Sequence, residues 1–183
     1  MQLQTNRLII REFTWEDWPA VHAYASDPEV VTYMIWGPNR EEETKVYVQE
    51  TLAQTTRHPR LNYDLAVIEK ESSRLVGGCS LNVSGSNAEF GYCFHRSSWG
   101  RGYATEVSRE LLSFGFEQLQ LHRIYATCRP QNIGSMRVLE KLGMRREGHL
   151  REHFWAKGAW QDSYLYAILA TEFKVAQQSI SQT

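Results

Sequence analysis

Residues 97–106 read SSWGRGYATE, and the fold turns on how that short run is taken. Gly100 and Gly102 stand one residue apart, just ahead of a stretch of helix formers. Glycine lets the main chain come close to a ligand, and the first N–H groups of a helix have no partner inside it, so the place suits an anion, above all a phosphate. Two familiar phosphate loops are excluded by the residues on the C-terminal side of the glycines. A P-loop needs Lys and then Ser or Thr after its last glycine, where this chain has Tyr103 and Ala104. A dinucleotide fingerprint needs a further glycine at the position of Thr105, within an early βαβ unit. Taken alone, the stretch also reads as a tight turn between a strand and a helix.

Upstream of the glycines lie three β-rich runs, NYDLAVIE (62–69), RLVGGCSLNVS (74–84) and NAEFGYCFH (87–95), joined by short polar turns in the manner of an antiparallel meander. Downstream, Ala104, Val107, Leu111, Leu112 and Gly115 share one helical stripe and predict a helix to about Leu119. HRIYATCR (122–129) reads as a strand, and NIGSMRVLEKLG (132–143) as a short helix with Asn132 as cap and Gly143 as stop. Two strands, about 144–154 and 160–170, come after it. Nearer the start, RLIIREF (7–13) is β-like. Thr14 with Asp17 resembles a capping box opening a first helix, and Asn39 is placed to cap a second over 39–56. The order β-α-α-β-β-β-α-β-α-β-β implies an α+β fold, with a mixed, mostly antiparallel sheet and helices packed on it.

Composition narrows the function classes. The chain has 183 residues without a compositional break, which predicts a single domain over 1–183. A formal net charge of −1 argues against wholesale attraction to nucleic acid or an anionic membrane. No run approaches the ~18 apolar residues needed to span a bilayer, and the first residues lack a secretory leader, so the expected location is cytoplasmic. Cys79, Cys93 and Cys128 are widely spaced with no C-x-x-C pair, which suggests reduced thiols and no zinc knuckle. His149 and His153 are four apart, but in a strand-like segment, where that spacing does not converge on a metal.

Two blocks, EFGYCFHRSSWGRGYATE and RPQNIGSMRVLEKLGMRREG, are similar in content, order and spacing to the GNAT superfamily of acyl-CoA N-acyltransferases, in the branch of the RimJ and RimL ribosomal-protein N-terminal acetyltransferases. The resemblance extends from RLIIREF to DSYLYAIL. It implies a twisted sheet of six to seven strands with about four helices and splayed central strands. The ligand it implies is acetyl-CoA, its pyrophosphate held by backbone N–H groups from Arg101 to Thr105. The family pattern falls on Trp99, Gly100, Arg101, Gly102, Tyr103 and Ala104, with Trp99 where many members have Gln or Arg. The pantetheine arm is expected along the end of the preceding strand, at Tyr92, Cys93, Phe94 and His95. Alternation there sets Ala88, Phe90, Tyr92 and Phe94 on one face and Glu89, Gly91, Cys93 and His95 on the other.

For the chemistry, the same resemblance puts the Ser135 hydroxyl beside the coenzyme A sulfur and gives Asn132 a part in cofactor contact. Plain helix capping is the competing reading of both residues. Glu89 is the candidate base, acting through water, against a simple solvated charge. The glutamate that some ribosomal-protein members carry after the Glu-Gly pair falls on Phe154 here, with Glu152 two residues earlier. Tyr164 and Tyr166 read as core or as acceptor pocket. The acceptor expected is the N-terminal amine of a protein such as a ribosomal protein. Small amines (a polyamine, an amino acid, an antibiotic) and a non-catalytic acyl-CoA-binding module are the alternatives. Monomer and homodimer both stand.

Overall fold

The computed structural model describes residues 1–181, with side-chain surroundings up to residue 175. One eight-stranded sheet runs through it in the order β1-β2-β3-β4-β5-β6-β8-β7. The strands are β1 (Gln2–Gln4), β2 (Leu8–Glu12), β3 (Asn62–Glu69), β4 (Arg74–Ser84), β5 (Asn87–Phe94), β6 (Arg123–Cys128), β7 (Arg145–Ala156) and β8 (Ala159–Leu169). Every neighbouring pair is antiparallel except β5 and β6, which run parallel.

Five helices cover the two faces: α1 (Trp18–Ala25), α2 (Glu41–Gln54), α3 (Tyr103–Ser113), α4 (Ile133–Lys141) and α5 (Ala170–Ser181). Period-two alternation sorts the strand side chains between two cores. Leu65, Val67, Leu81, Phe90 and Ile124 join Val107, Leu111 and Leu139 on the α3/α4 side. On the opposite face, Ala66 and Ile68 pack with Val21 and Tyr24 of α1 and Val48 of α2.

The expectations hold for most elements, with four differences. β1 was not foreseen: at three residues it is too short to display a period, and it exists by pairing with β2. α5 was not foreseen either, because it follows β8 without an intervening turn residue; the Glu172 carboxylate accepts the Leu169 N–H at 3.0 Å, and Phe173 is buried against Phe116. The second helix is shorter than 39–56, and its start is closed by the Glu43 carboxylate accepting the Arg40 N–H at 2.7 Å, with no cap from Asn39. The third ends its α-helical part at Ser113 and continues as a wider turn over Phe114–Gln118, where the Leu119 N–H reaches the Phe114 carbonyl at 3.2 Å. No helix among the described residues is long and apolar enough to cross a membrane.

Candidate active site

β5 and β6 are paired through Asn87↔Arg123, Ala88↔Ile124 and Glu89↔Tyr125, and then part. Each keeps its outer neighbour: β5 stays on β4 as far as Phe94, and β6 stays on β8 as far as Cys128. The divergence opens a cleft of about 980 Å³ lined by Phe90, Gly91 and Tyr92 from one strand and Ala126, Thr127 and Cys128 from the other. The His95 N–H is taken by the Val76 carbonyl of β4 at 2.9 Å. Because backbone groups alternate along a strand, those of Cys93 also face β4, and those of Tyr92 and Phe94 face the gap. The Phe94 carbonyl accepts the Trp99 indole N–H there at 3.0 Å. His95, whose imidazole bonds Ser97 at 2.9 Å, lies outside the cleft lining.

At one end of the cleft the chain turns through Gly100 (φ 73°) and Gly102 (φ 81°), left-handed conformations that glycine adopts without strain. A side chain at Gly100 would meet nothing within 4 Å, so the loop's backbone is open to a ligand. Gly102 caps α3, whose first bond is the Glu106 N–H to the Gly102 carbonyl at 3.1 Å. The N–H groups of Tyr103, Ala104 and Thr105 precede that ladder and converge on the cleft these residues line. Beside this cradle Arg101 and Arg7 are already paired. Arg101 reaches Glu69 at 2.8 Å, the Tyr103 hydroxyl donates to the same carboxylate, and Arg7 forks onto Glu106 at 2.8 and 2.6 Å. Ser72 and Tyr103 hydroxyls, with Arg101, hold Glu69 below the ordinary carboxylate range. The cradle is therefore made of main chain, which suits a diphosphate, and Arg101 is outside its lining.

α4 begins on the far wall. Asn132 accepts the Ser135 N–H at 3.0 Å, so the capping reading is realised, and the Ser135 hydroxyl is left to meet the Tyr92 hydroxyl at 3.2 Å. Burial pushes the Tyr92 phenol up to about 12, against the Ser135 bond, so the phenol stays protonated at neutral pH. Tyr92 was assigned only a backbone role from sequence; alternation places it on the apolar face but says nothing of a partner 43 residues away. Glu89 sits where β5 and β6 are still paired, accepts a bond from Thr127 at 3.2 Å and is not in the cleft lining.

The opposite wall comes from α1, α2 and the loop between them: Tyr24, Tyr33, Met34, Trp36 and Tyr47, with Asp64 of β3 at its base. Asp64 was missed. The signal available was its place in NYDLAVIE, alternating with the buried Ala66 and Ile68. Other candidates leave the site. Tyr166 is core, and Tyr164 packs against that core. Glu152 adopts φ 48° where the β7–β8 register slips between Leu150 and Phe154, so simple alternation does not place it. His149 bonds Asp162 at 2.6 Å within β7 and β8. Cys79 and Cys128 are buried, Cys93 is half-buried, and all three are free thiols; burial pushes Cys93 up to about 12 and Cys128 to about 11.

This architecture has close counterparts. Residues 7–145 match the family model for the GNAT acetyltransferase domain. The chain belongs to the GNAT family. A GNAT-family acetyltransferase from Bacillus anthracis superposes with TM-score 0.84 at 38% identity, over 94% of this chain and 100% of that one. Related in fold at lower identity are spermidine N-acetyltransferase from Vibrio cholerae in complex with CoA and spermine (TM-score 0.80, 22% identity, 93% and 99% covered) and Mycobacterium smegmatis RimJ in complex with CoA-disulfide (TM-score 0.78, 23% identity, 93% and 89% covered). This GNAT chain is an N-acetyltransferase that uses acetyl-CoA as donor. Its glycine cradle and strand gap fit that donor, since a diphosphate needs converging backbone donors and an extended amide arm needs an unpaired strand edge.

Proposed function

We propose that this GNAT enzyme transfers acetyl from acetyl-CoA to the N-terminal amine of a protein. Acetyl-CoA supplies the activated thioester. Tyr92 and the cradle from Gly102 to Thr105 hold it, and the Ser135 hydroxyl, steadied by Tyr92, donates a hydrogen bond where the sulfur departs. The observation that carries the acceptor class is the mouth of the cleft. Tyr33 and Trp36 are 39% and 37% exposed there beside Met34, an apolar lip suited to the first side chains of a polypeptide.

A polyamine fits this wall less well. Of the two carboxylates lining the cleft, Glu29 is held by Arg96 at 2.7 Å and Asp64 is bonded by the Tyr47 hydroxyl near Arg60, so a chain of ammonium groups would face aromatic rings with few counter-charges. The test is free-thiol release from acetyl-CoA against N-terminal peptides, spermidine and single amino acids. Peptides are expected to give a kcat/KM at least ~10-fold higher, the scale of discrimination that pocket contacts supply. Faster turnover of spermidine or of a free amino acid would overturn the acceptor class. In parallel, Gly102→Val is expected to abolish CoA binding by calorimetry, and unchanged affinity would remove the donor from this loop.

A further inference from the structure

We propose that Asp64 is the group that holds the incoming amine and accepts its proton, across a row of small residues Asp64, Ser80 and Gly91 on the acceptor face of the sheet. The inference deepens the proposed acceptor reading and rests on the acceptor entering from the α1/α2 side.

The row follows from register. Asp64 pairs with Ser80 and Ser80 pairs with Gly91, and directly paired residues project from the same face. Gly91 is the edge of the strand gap, so the row leads from the carboxylate to the place where β5 and β6 part. Two strand spacings, ~10 Å, separate its ends. Gly91 and Gly78 keep the path bare. A Cβ at Gly91 would stand 3.3 Å from the Ser80 hydroxyl, and one at Gly78 would stand 3.1 Å from the Tyr24 hydroxyl. An amine seated over Gly91 is thus linked to Asp64 by a relay of the Ser80 hydroxyl together with water.

The surroundings fit that task. The Tyr47 hydroxyl of α2 donates to Asp64, Tyr24 of α1 and Cys79 of β4 lie within electrostatic reach of it, and Arg60 precedes β3 as the nearby cation. Burial lifts the Asp64 carboxyl above the ordinary aspartate range, and the Arg60 charge and Tyr47 hydroxyl only partly offset it. A carboxylate moved toward neutrality is a better proton acceptor than an exposed one. Glu89, the alternative, is already bonded to Thr127 outside the cleft lining.

In the step itself, the amine has shed one proton to bulk water and its nitrogen lone pair attacks the thioester carbonyl carbon. The C–N bond forms and the C–S bond breaks. The sulfur keeps the electron pair and leaves as thiolate toward Ser135, and the surplus proton on nitrogen passes along the relay of Ser80 and water to Asp64, which later releases it to solvent.

The first experiment does not need turnover. Chemical-shift titration of the CoA-saturated enzyme with benzylamine and with benzyl alcohol is expected to show ~10-fold preference for the amine, the scale of an ammonium–carboxylate attraction across ~10 Å of partly buried cleft, and Asp64→Asn is expected to erase it. Absence of a preference in the parent enzyme, or its survival in Asp64→Asn, overturns the proposal. The second measures kcat/KM against pH with the best acceptor. Asp64→Asn should lower it by ~10²–10⁴-fold and remove the lower acid limb, the upper one belonging to the amine itself, with CoA affinity unchanged as the check on folding. Loss of that limb in Glu89→Gln but not in Asp64→Asn overturns it equally. If no peptide is acetylated, the acceptor class fails, and the titration still decides the role of Asp64.

Discussion

Ser135 does two things that one substitution can separate. Its backbone N–H is capped by Asn132 at 3.0 Å, and its side chain faces Tyr92 at 3.2 Å. Ser135→Ala keeps the cap and removes the hydroxyl, so kcat is expected to fall ~10–10³-fold while cofactor affinity holds. A wild-type kcat would reduce Ser135 to a helix-start residue. Tyr92→Phe removes the partner alone, and stopped-assay kcat should fall less than for Ser135→Ala. At this scale Ser135 and Asn132 were legible through their N-x-x-S spacing, and the glycines through their place before a helix. Tyr92 and Asp64 were not, because their partners lie on elements distant in the chain.

Gly115 shows how an element is fitted to its neighbour. A Cβ there would stand 2.6 Å from the Ile124 Cδ1 and 3.3 Å from the Leu121 Cδ1, so the widened end of α3 lies against β6 only because that position is bare. Ile124 is fully buried and has no room to retreat. Gly115→Ala is expected to destabilise the fold by ~1–3 kcal/mol, read as a lower urea midpoint. Ile124→Val, which removes the obstructing methyl, should restore part of that loss in the double variant; equal loss in both backgrounds would refute the packing account. The helical stripe through Val107 and Leu111 was legible because burial repeats every turn, whereas the widening after Ser113 was not, since it answers to Ile124 and Leu121.

For the molecule as a whole, Asp17 contributes to the acid limit of stability where loop and sheet are tied. Asp17 is buried, which raises its carboxyl, but Arg11 (2.6 and 2.9 Å) and the Thr14 N–H (2.8 Å) bind the charged form and hold it below the ordinary 3.8. A folded value below the unfolded one gives stability that is full above about pH 3.8 and lost as pH falls through the folded value. Asp17→Asn should therefore flatten the acid fall of the urea midpoint; an unchanged slope would assign it to other carboxylates. Asp64 has the opposite sign: its raised value makes the fold lose stability as pH rises through it. Local order in the chain was enough to settle the element sequence apart from β1 and α5, the glycines before α3 and the capped helix carrying Ser135, because periodicity, caps and turns act over a few residues. The parting of β5 from β6 was implied by the family resemblance alone, and the Tyr92–Ser135 contact and the row from Asp64 to Gly91 were decided only in three dimensions, because strand register joins residues that no local pattern relates.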